Sequence, residues 1–297
     1  MKQMLLIHNP RSGRCKGGKM LPQILSIFFE AGYRVTVHTT TGPGDGTEAV
    51  KAKAAGMDAV VCCGGDGTFS ETVNGLLESG ANLPIGYLPA GSTNDFAASL
   101  HLPTDLVEAA RAIVSGTSQA YDVGKVNGRY FSYVASFGAF TRTSYATSQK
   151  LKNKLGFLAY LLGGIQEVFR LRAIPVTAEI DGEIIEGKFL FGAVSNSTRM
   201  GGIFKLDPKL VDLADGQLEL LLVRKFKHPL QLFGCLRAIF KHRYDHKCLV
   251  FRRVRSVRFT CPEGTVWTLD GERYDAAPVL QIDAQERAIR LIRKETT

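Results

Sequence analysis

Val60-Val61-Cys62-Cys63-Gly64-Gly65-Asp66-Gly67-Thr68-Phe69-Ser70-Glu71 is an apolar run that breaks into glycines, an aspartate and a threonine ahead of a helix-like segment. The pattern predicts a buried strand over 58–63 that delivers a tight turn onto a helix over 69–77. Glycines let backbone approach a ligand closely, and the first helical N–H groups meet it with the positive end of the helix dipole behind them. Such a turn suits phosphate. A carboxylate at Asp66 would repel phosphate unless a cation lay between them, so the turn points to a Mg²⁺-bound nucleotide. Gly-Asp-Gly alone is also an ordinary capped turn; the buried strand and the additional glycines favour the ligand.

The same transition recurs. Met4 to His8 opens into Asn9-Pro10-Arg11-Ser12-Gly13-Arg14, whose side chains and glycine backbone could meet the same nucleotide. Arg34 to Thr39 opens into the loop from Thr39 through Thr40 to Asp45. Pro84 to Pro89 opens into Ala90-Gly91-Ser92-Thr93-Asn94-Asp95-Phe96, which carries hydroxyls, an amide and a carboxylate. Helical spacing at Leu21 to Phe29, Thr47 to Ala55 and Leu106 to Val114 alternates with these strands. Strand and helix in alternation predict an α/β domain built on a doubly wound parallel sheet, with ligands at the carboxyl ends of its strands. Four polar loops at one edge make a candidate site.

Beyond Asp122-Val123-Gly124-Lys125 the pattern changes to β-branched or aromatic runs over 130–137, 176–180, 184–194, 217–223, 254–260, 266–269 and 288–293, split by Asp-Gly, Asn-Gly or Pro. These predict a second, antiparallel β-sandwich domain. The boundaries are 1–124 and 125–297, with the last strand free to return to the first domain. Two helical insertions are expected, Leu151 to Leu171 with basic residues at its ends and Pro229 to Phe240. A cleft between the domains would take the substrate.

Composition narrows the function. The 297 residues are 45% hydrophobic, enough for two cores. Six cysteines without a CxxC pair read as reduced residues of a cytosolic protein, and no histidine has zinc-site spacing with them. The first ten residues hold too short an apolar run for a signal peptide, and no run is long enough to span a bilayer. Of the formal +9, residues 224–258 carry eleven Lys/Arg against Asp245 alone, a local +10, while the remainder nets −1. That concentration implies an anionic partner, nucleic acid or lipid headgroups. No recognisable nucleic-acid motif interleaves aromatics with it, so a specific nucleic-acid partner is not expected.

Assembled, Asn9 to Gly13, Thr40 with Gly44-Asp45, Gly64 to Thr68 with Glu71 and Asn74-Gly75, Pro89 to Phe96, Asp122 to Gly124, Asn196-Ser197 with Gly201-Gly202, Asp215-Gly216 and Asp270-Gly271-Glu272 resemble the diacylglycerol kinase catalytic-domain family. Within it the chain looks like the bacterial soluble lipid kinases, which are similar to sphingosine and ceramide kinases and more distantly to NAD kinases. The resemblance implies ATP held by Asn9, Pro10, Arg11, Ser12, Gly13, Thr40, Gly65, Asp66, Gly67, Thr68, Glu71 and Ser92, and a Mg²⁺-water network around Asp66, Asp95 and Asp122. It implies that Glu272 is the general base accepting the lipid hydroxyl proton. A structural Mg²⁺ would match Asp215, with Asp212 and the backbone of Gln217 beside it. Arg14 stands where some members carry Lys, and Ser92 where some carry Thr.

Phosphoryl transfer needs positioning and charge neutralisation more than covalent help. The glycine turn from Gly64, with Arg14, suits the phosphates; the three aspartates suit Mg²⁺ and its waters; Glu272 would be presented from the second domain. Asp270-Gly271-Glu272 also reads as a plain hairpin turn. The expected function is therefore an ATP- and Mg²⁺-dependent lipid kinase, with diacylglycerol as acceptor and phosphatidic acid as product. It would be cytoplasmic and peripheral to the inner face of an anionic membrane, and an exposed edge strand would allow a homodimer. The alternatives are a kinase of a soluble alcohol such as NAD, and a nucleotide-responsive binding or regulatory protein.

Overall fold

The computed structural model describes residues 1–139, 171–200 and 204–294. The expected helix over 151–171 falls almost wholly outside them, as do Gly201 and Gly202. The chain divides into two compact units: residues 1–123, 129–132 and 285–297, and residues 124–128 with 133–284.

The first unit begins β1 (Lys2–His8), a 3-10 turn (Ser12–Cys15), α1 (Lys16–Glu30), β2 (Tyr33–Thr39), α2 (Asp45–Lys53), β3 (Ala59–Gly64), α3 (Asp66–Ser79) and β4 (Pro84–Pro89). After these come α4 (Asp95–Ser99), α5 (Leu106–Ser115), β5 (Thr117–Val126) and β6 (Arg129–Phe131). The strands pair in parallel in the order β4-β3-β1-β2. Met4 to Ile7 and Val60 to Cys63 are fully buried, as continuous apolar runs in a parallel sheet covered on both faces must be. Met4, Leu6, Val61 and Cys63 pack with Ile24 and Phe28 of α1 and with Ala109, Ala110 and Ile113 of α5. Each such Leu or Val contributes roughly 1.5–3 kcal/mol by leaving water. Gly80, left-handed at φ 71°, ends α3, a conformation in which a Cβ would be strained.

In the second unit, β7 (Val134–Gly138), β8 (Ile174–Ile180), β9 (Glu183–Ser195), β12 (Leu218–Arg224), β13 (Leu249–Val254), β14 (Ser256–Thr260), β15 (Val266–Leu269) and β16 (Glu272–Asp275) pair antiparallel. The two-residue strands β10 (Arg199–Met200) and β11 (Phe204–Lys205) form a separate hairpin. The 13-residue β9 serves three partners: β8 along Glu183–Phe189, and β7 and β12 along Phe191–Ser195. Trp267, fully buried, sits 4.7 Å from Phe137 and 5.2 Å from Phe259 between ring centroids. Helix α6 (Pro229–Phe240) begins on Pro229 in its first turn, where a missing N–H costs nothing.

The last strand, β17 (Val279–Arg293), is longer than the 288–293 run anticipated. Its first half pairs with β14 in the second unit. Within the first unit, Arg290 and Leu291 pair in parallel with Pro84 and Ile85 of β4.

Candidate functional site

The ends of β1, β2, β3 and β4 are tied together by backbone before any side chain acts. The Asn9 N–H donates to the Cys63 carbonyl at 2.9 Å, Thr40 N–H to His8 at 2.9 Å, and Ala90 N–H to Gly64 at 2.8 Å. Two glycines then make contacts that no larger residue permits. A Cβ on Gly13, which is left-handed at φ 48°, would collide with the Ala90 carbonyl; one on Gly91 would lie 2.5 Å from the Gly65 Cα. The loops after β1, β3 and β4 thus close on one another backbone to backbone. Gly65 caps α3 in an extended conformation with no side-chain hydrogen bond, the arrangement in which a helix N-terminus receives an anion.

Side chains fix these loops. Asn9 donates through Nδ2 to Thr68 Oγ1 at 2.9 Å and accepts from Arg11 N–H at 3.0 Å, while the Ser12 hydroxyl donates to the Asn9 carbonyl. Pro10 completes that turn, and Arg11 points to solvent. Arg14 lies in the 3-10 turn, its side chain outside the described set. Asp66 Oδ2 accepts from Asp95 N–H at 3.1 Å and Oδ1 from Phe96 N–H at 3.4 Å, so the glycine-turn aspartate anchors the start of α4. Asp95 is 3% exposed. Asp122 is fully buried and accepts from the N–H of Arg287 at 2.6 Å, holding a left-handed residue at φ 49° in place. Ser92 is exposed and Gly67 half-buried at the loop mouths.

Glu71 reaches away from the glycine turn. Its carboxylate accepts from Gly44 N–H at 2.7 Å and Gly46 N–H at 2.9 Å, fixing the start of α2. Asp45 caps the same region, accepting from the Thr41 N–H and hydroxyl and facing His38 Nε2 at 3.1 Å. The Thr41 hydrogen bonds, ahead of His38, hold its pKa below the usual carboxylate value. Asn94 is the positioning residue that the sequence reading left without a role. Left-handed at φ 52°, it accepts from Gly91 N–H at 2.9 Å and donates to the Gly91 and Pro89 carbonyls. Its signal was an asparagine three residues beyond a glycine, the spacing of a side-chain-closed turn.

In the second unit, Asp270 and Gly271 are both left-handed, at φ 49° and 81°, the two-residue hairpin geometry that Asp-Gly favours. Asp270, 3% exposed, accepts from the N–H groups of Tyr133 at 2.9 Å and Val134 at 3.2 Å. Glu272 opens β16 opposite Leu269 and is half-buried. In the loop before β12, Asp212 accepts from Ala214 N–H at 3.1 Å and Asp215 from Gln217 N–H at 2.9 Å, and Asp215 also pairs with Arg253.

These donors are all oxygens, the set that a hard divalent cation takes. Among the described residues no three His, Cys, Asp or Glu side chains converge as a metal cluster. Asp66, Asp95 and Asp122 therefore do not meet as a direct ligand set, and a Mg²⁺ associated with them would be held through water and phosphate oxygens. One at Asp215 would compete with the Arg253 guanidinium. The cysteines are unsuited to nucleophilic work: the five whose side chains are described are buried and free, and burial pushes Cys63 and Cys235 up to about 12. His8, buried at the end of β1, has its pKa lowered by desolvation.

Residues 3–126 match the diacylglycerol kinase catalytic domain model, and residues 134–293 the YegS C-terminal NAD kinase beta sandwich-like domain. A protein of Bacillus subtilis (strain 168) named diacylglycerol kinase is 35% identical over 274 residues, 92% of this chain and 90% of its own. One of the same name from Staphylococcus carnosus (strain TM300) is 34% identical over 91% and 89%. A crystal structure from Bacillus anthracis str. Sterne superposes with a TM-score of 0.84 at 26% identity, covering 99% of this chain and 97% of that one. A second structure from that organism, of a diacylglycerol kinase, gives 0.75 at 23% over the same shares and speaks to the fold alone.

Proposed function

The chain belongs to the diacylglycerol kinase catalytic-domain family, and from that premise we propose that it transfers the γ-phosphoryl group of ATP to the free hydroxyl of diacylglycerol, giving phosphatidic acid. The observation that carries the reading is the closure of the three glycine loops at Gly13, Gly65 and Gly91 over the uncapped start of α3. It is a backbone cradle for phosphate.

Asn9, Ser12, Gly13 and Thr40 would line the nucleotide, with Gly64 to Thr68 beneath its phosphates and Ser92 at the mouth. Mg²⁺, when bound, supplies charge neutralisation for the phosphates. Asp66, Asp95 and Asp122 would hold it through water, and the backbone N–H groups that Asp66 and Asp122 accept keep those two carboxylates still, which is the positioning that phosphoryl transfer depends on. Glu272 would accept the hydroxyl proton as the acceptor oxygen attacks. Asp212, Asp215 and the Gln217 backbone are the proposed ligands of a structural Mg²⁺. Such a kinase would work peripherally at an anionic membrane; no helix among the described residues is long and apolar enough to cross one.

The test is incubation with γ-labelled ATP, Mg²⁺ and diacylglycerol in mixed micelles, beside NAD as a water-soluble acceptor, for the wild type and Glu272→Gln. Label in phosphatidic acid, lost in the variant, is expected. Label in NADP alone would replace the acceptor, and label in neither would reject the kinase reading for both.

A further inference from the structure

Helix α6 buries Leu232, Cys235 and Leu236 yet leaves Leu230 77%, Phe233 50% and Phe240 62% exposed. At 100° per residue, Phe240, Phe233, Arg237, Leu230 and Lys241 fall in that order within one continuous 100° arc of the outward face. Beside that arc lies a surface cavity of about 410 Å³ whose charged and titratable lining is Arg237, Lys241, Arg243, Asp245, His246 and Lys247. Its wall is built rather than incidental. The Arg243 N–H donates to the Ala238 carbonyl at 2.8 Å, Leu249 N–H to the His246 carbonyl at 2.7 Å, and Tyr244 stacks on Phe251 at 4.7 Å. Asp245, the sole acid of the segment, is paired with Arg243 at 3.1 Å.

The basic run 224–258 is therefore not one surface. Arg252 is paired with Glu183 and Arg253 with Asp215, and Arg224 lies over the Phe189 ring. The cations of α6 and of the turn after it are the ones grouped with exposed apolar side chains.

We propose that this face of α6 docks on an anionic phospholipid bilayer, with Leu230, Phe233 and Phe240 entering the interface and the basic cavity receiving headgroup phosphates. A helix that puts Phe and Leu outward beside Lys and Arg matches the layered chemistry of that surface, apolar inside and anionic at the rim. A second copy of the chain would bring like charge against like, and a nucleic acid would satisfy the cations while leaving two phenylalanines and a leucine in water. The inference extends the lipid-kinase reading by naming the surface, and its test needs no turnover.

Flotation with vesicles of phosphatidylglycerol and phosphatidylcholine, against phosphatidylcholine alone, should show binding only to the former. Arg237→Gln with Lys241→Gln should weaken it about thirtyfold, from roughly fivefold per charge, and Phe233→Ala with Leu230→Ala about tenfold or more. Arg252→Gln should leave it within about twofold. Because Trp267 is buried, a Phe233→Trp probe should blue-shift on anionic vesicles alone. Unchanged binding in both double variants, no blue shift, or equal losses on duplex DNA would overturn the proposal. Transfer to short-chain, dispersed diacylglycerol should persist in the double variants. Its absence in the wild type, with vesicle binding intact, would count against the acceptor assignment and leave the docking face standing.

Discussion

Gly65-Asp66-Gly67 and Asp270-Gly271-Glu272 share an Asp-Gly pair and use the aspartate alike. Asp66 accepts from the N–H groups of Asp95 and Phe96, and Asp270 from those of Tyr133 and Val134. What surrounds each pair differs. In the first turn Gly65 presses on Gly91 and the chain continues into a helix; in the second both residues are left-handed and it folds back as a hairpin. The two turns teach that the acid inside such a motif can be scaffold in both places. What the scaffold presents next also differs, an uncapped helix start in one and a further carboxylate, Glu272, in the other.

The comparison breaks most visibly at Glu272. Replacement by Gln should lower phosphoryl transfer by about 10²–10⁴-fold, the usual worth of a general base, with nucleotide affinity and melting temperature unchanged; calorimetry and label transfer read both. Gly91→Ala should lower phosphoryl transfer about 100-fold and weaken ATP binding with it, because its Cβ would drive the loop from Gly65 and displacements of that kind carry that order of rate penalty. Equal affinity in that variant would show that these loops do not hold the nucleotide phosphates.

Asp270→Ala should cost about 1–3 kcal/mol of stability, since it leaves two buried N–H groups without an acceptor. Asp66→Ala, whose partners are only part-buried, should cost less stability and more activity; denaturant titration beside label transfer separates the pair. The reverse ranking would mean that the two turns are not equivalent scaffolds.

The smallest effect concerns His8, buried at the end of β1. Its folded pKa lies below the unfolded value of 6.5, so the unfolded chain binds more protons and stability rises with pH across that interval. Stability should decline as pH falls below 6.5 toward the folded pKa, and His8→Gln should flatten that part of the profile.

The parallel sheet was legible because Met4 to Ile7 and Val60 to Cys63 are unbroken apolar runs that lead, past His8 in the first, to Asn9 and Gly64, and because Pro84 to Pro89 opens into Ala90-Gly91. Helix α6 was legible from Pro229 and its spacing. Strand β5 was not: Asp122 and Gly124 interrupt its apolar pattern, and Arg287, whose N–H the buried aspartate accepts, lies 165 positions away. The run over 130–137 read as one strand but divides at Ser132 and Tyr133, where Asp270 takes the backbone N–H. Likewise the apolar run of β13 stops at Phe251, before Arg252 and Arg253, which are matched by Glu183 on β9 and by Asp215 in the loop before β12. At the candidate site the glycines announced themselves, whereas Glu71 on Gly44 and Gly46 is a long-range pairing that no local pattern encodes.

Arg290 and Leu291 beside β4, and Arg287 on Asp122, make the first unit depend on the last strand of the chain. A ribosome that has delivered all four glycine-bearing loops has still not delivered that strand. Until it emerges, β4 presents an unpaired edge and Asp122 lacks the Arg287 N–H that it accepts, an opening for mispairing with other nascent chains. The nucleotide-binding half of this protein is thus written first and finished last, and a stalled or clipped chain should be cleared as misfolded rather than persist as a free-standing ATP-binding fragment.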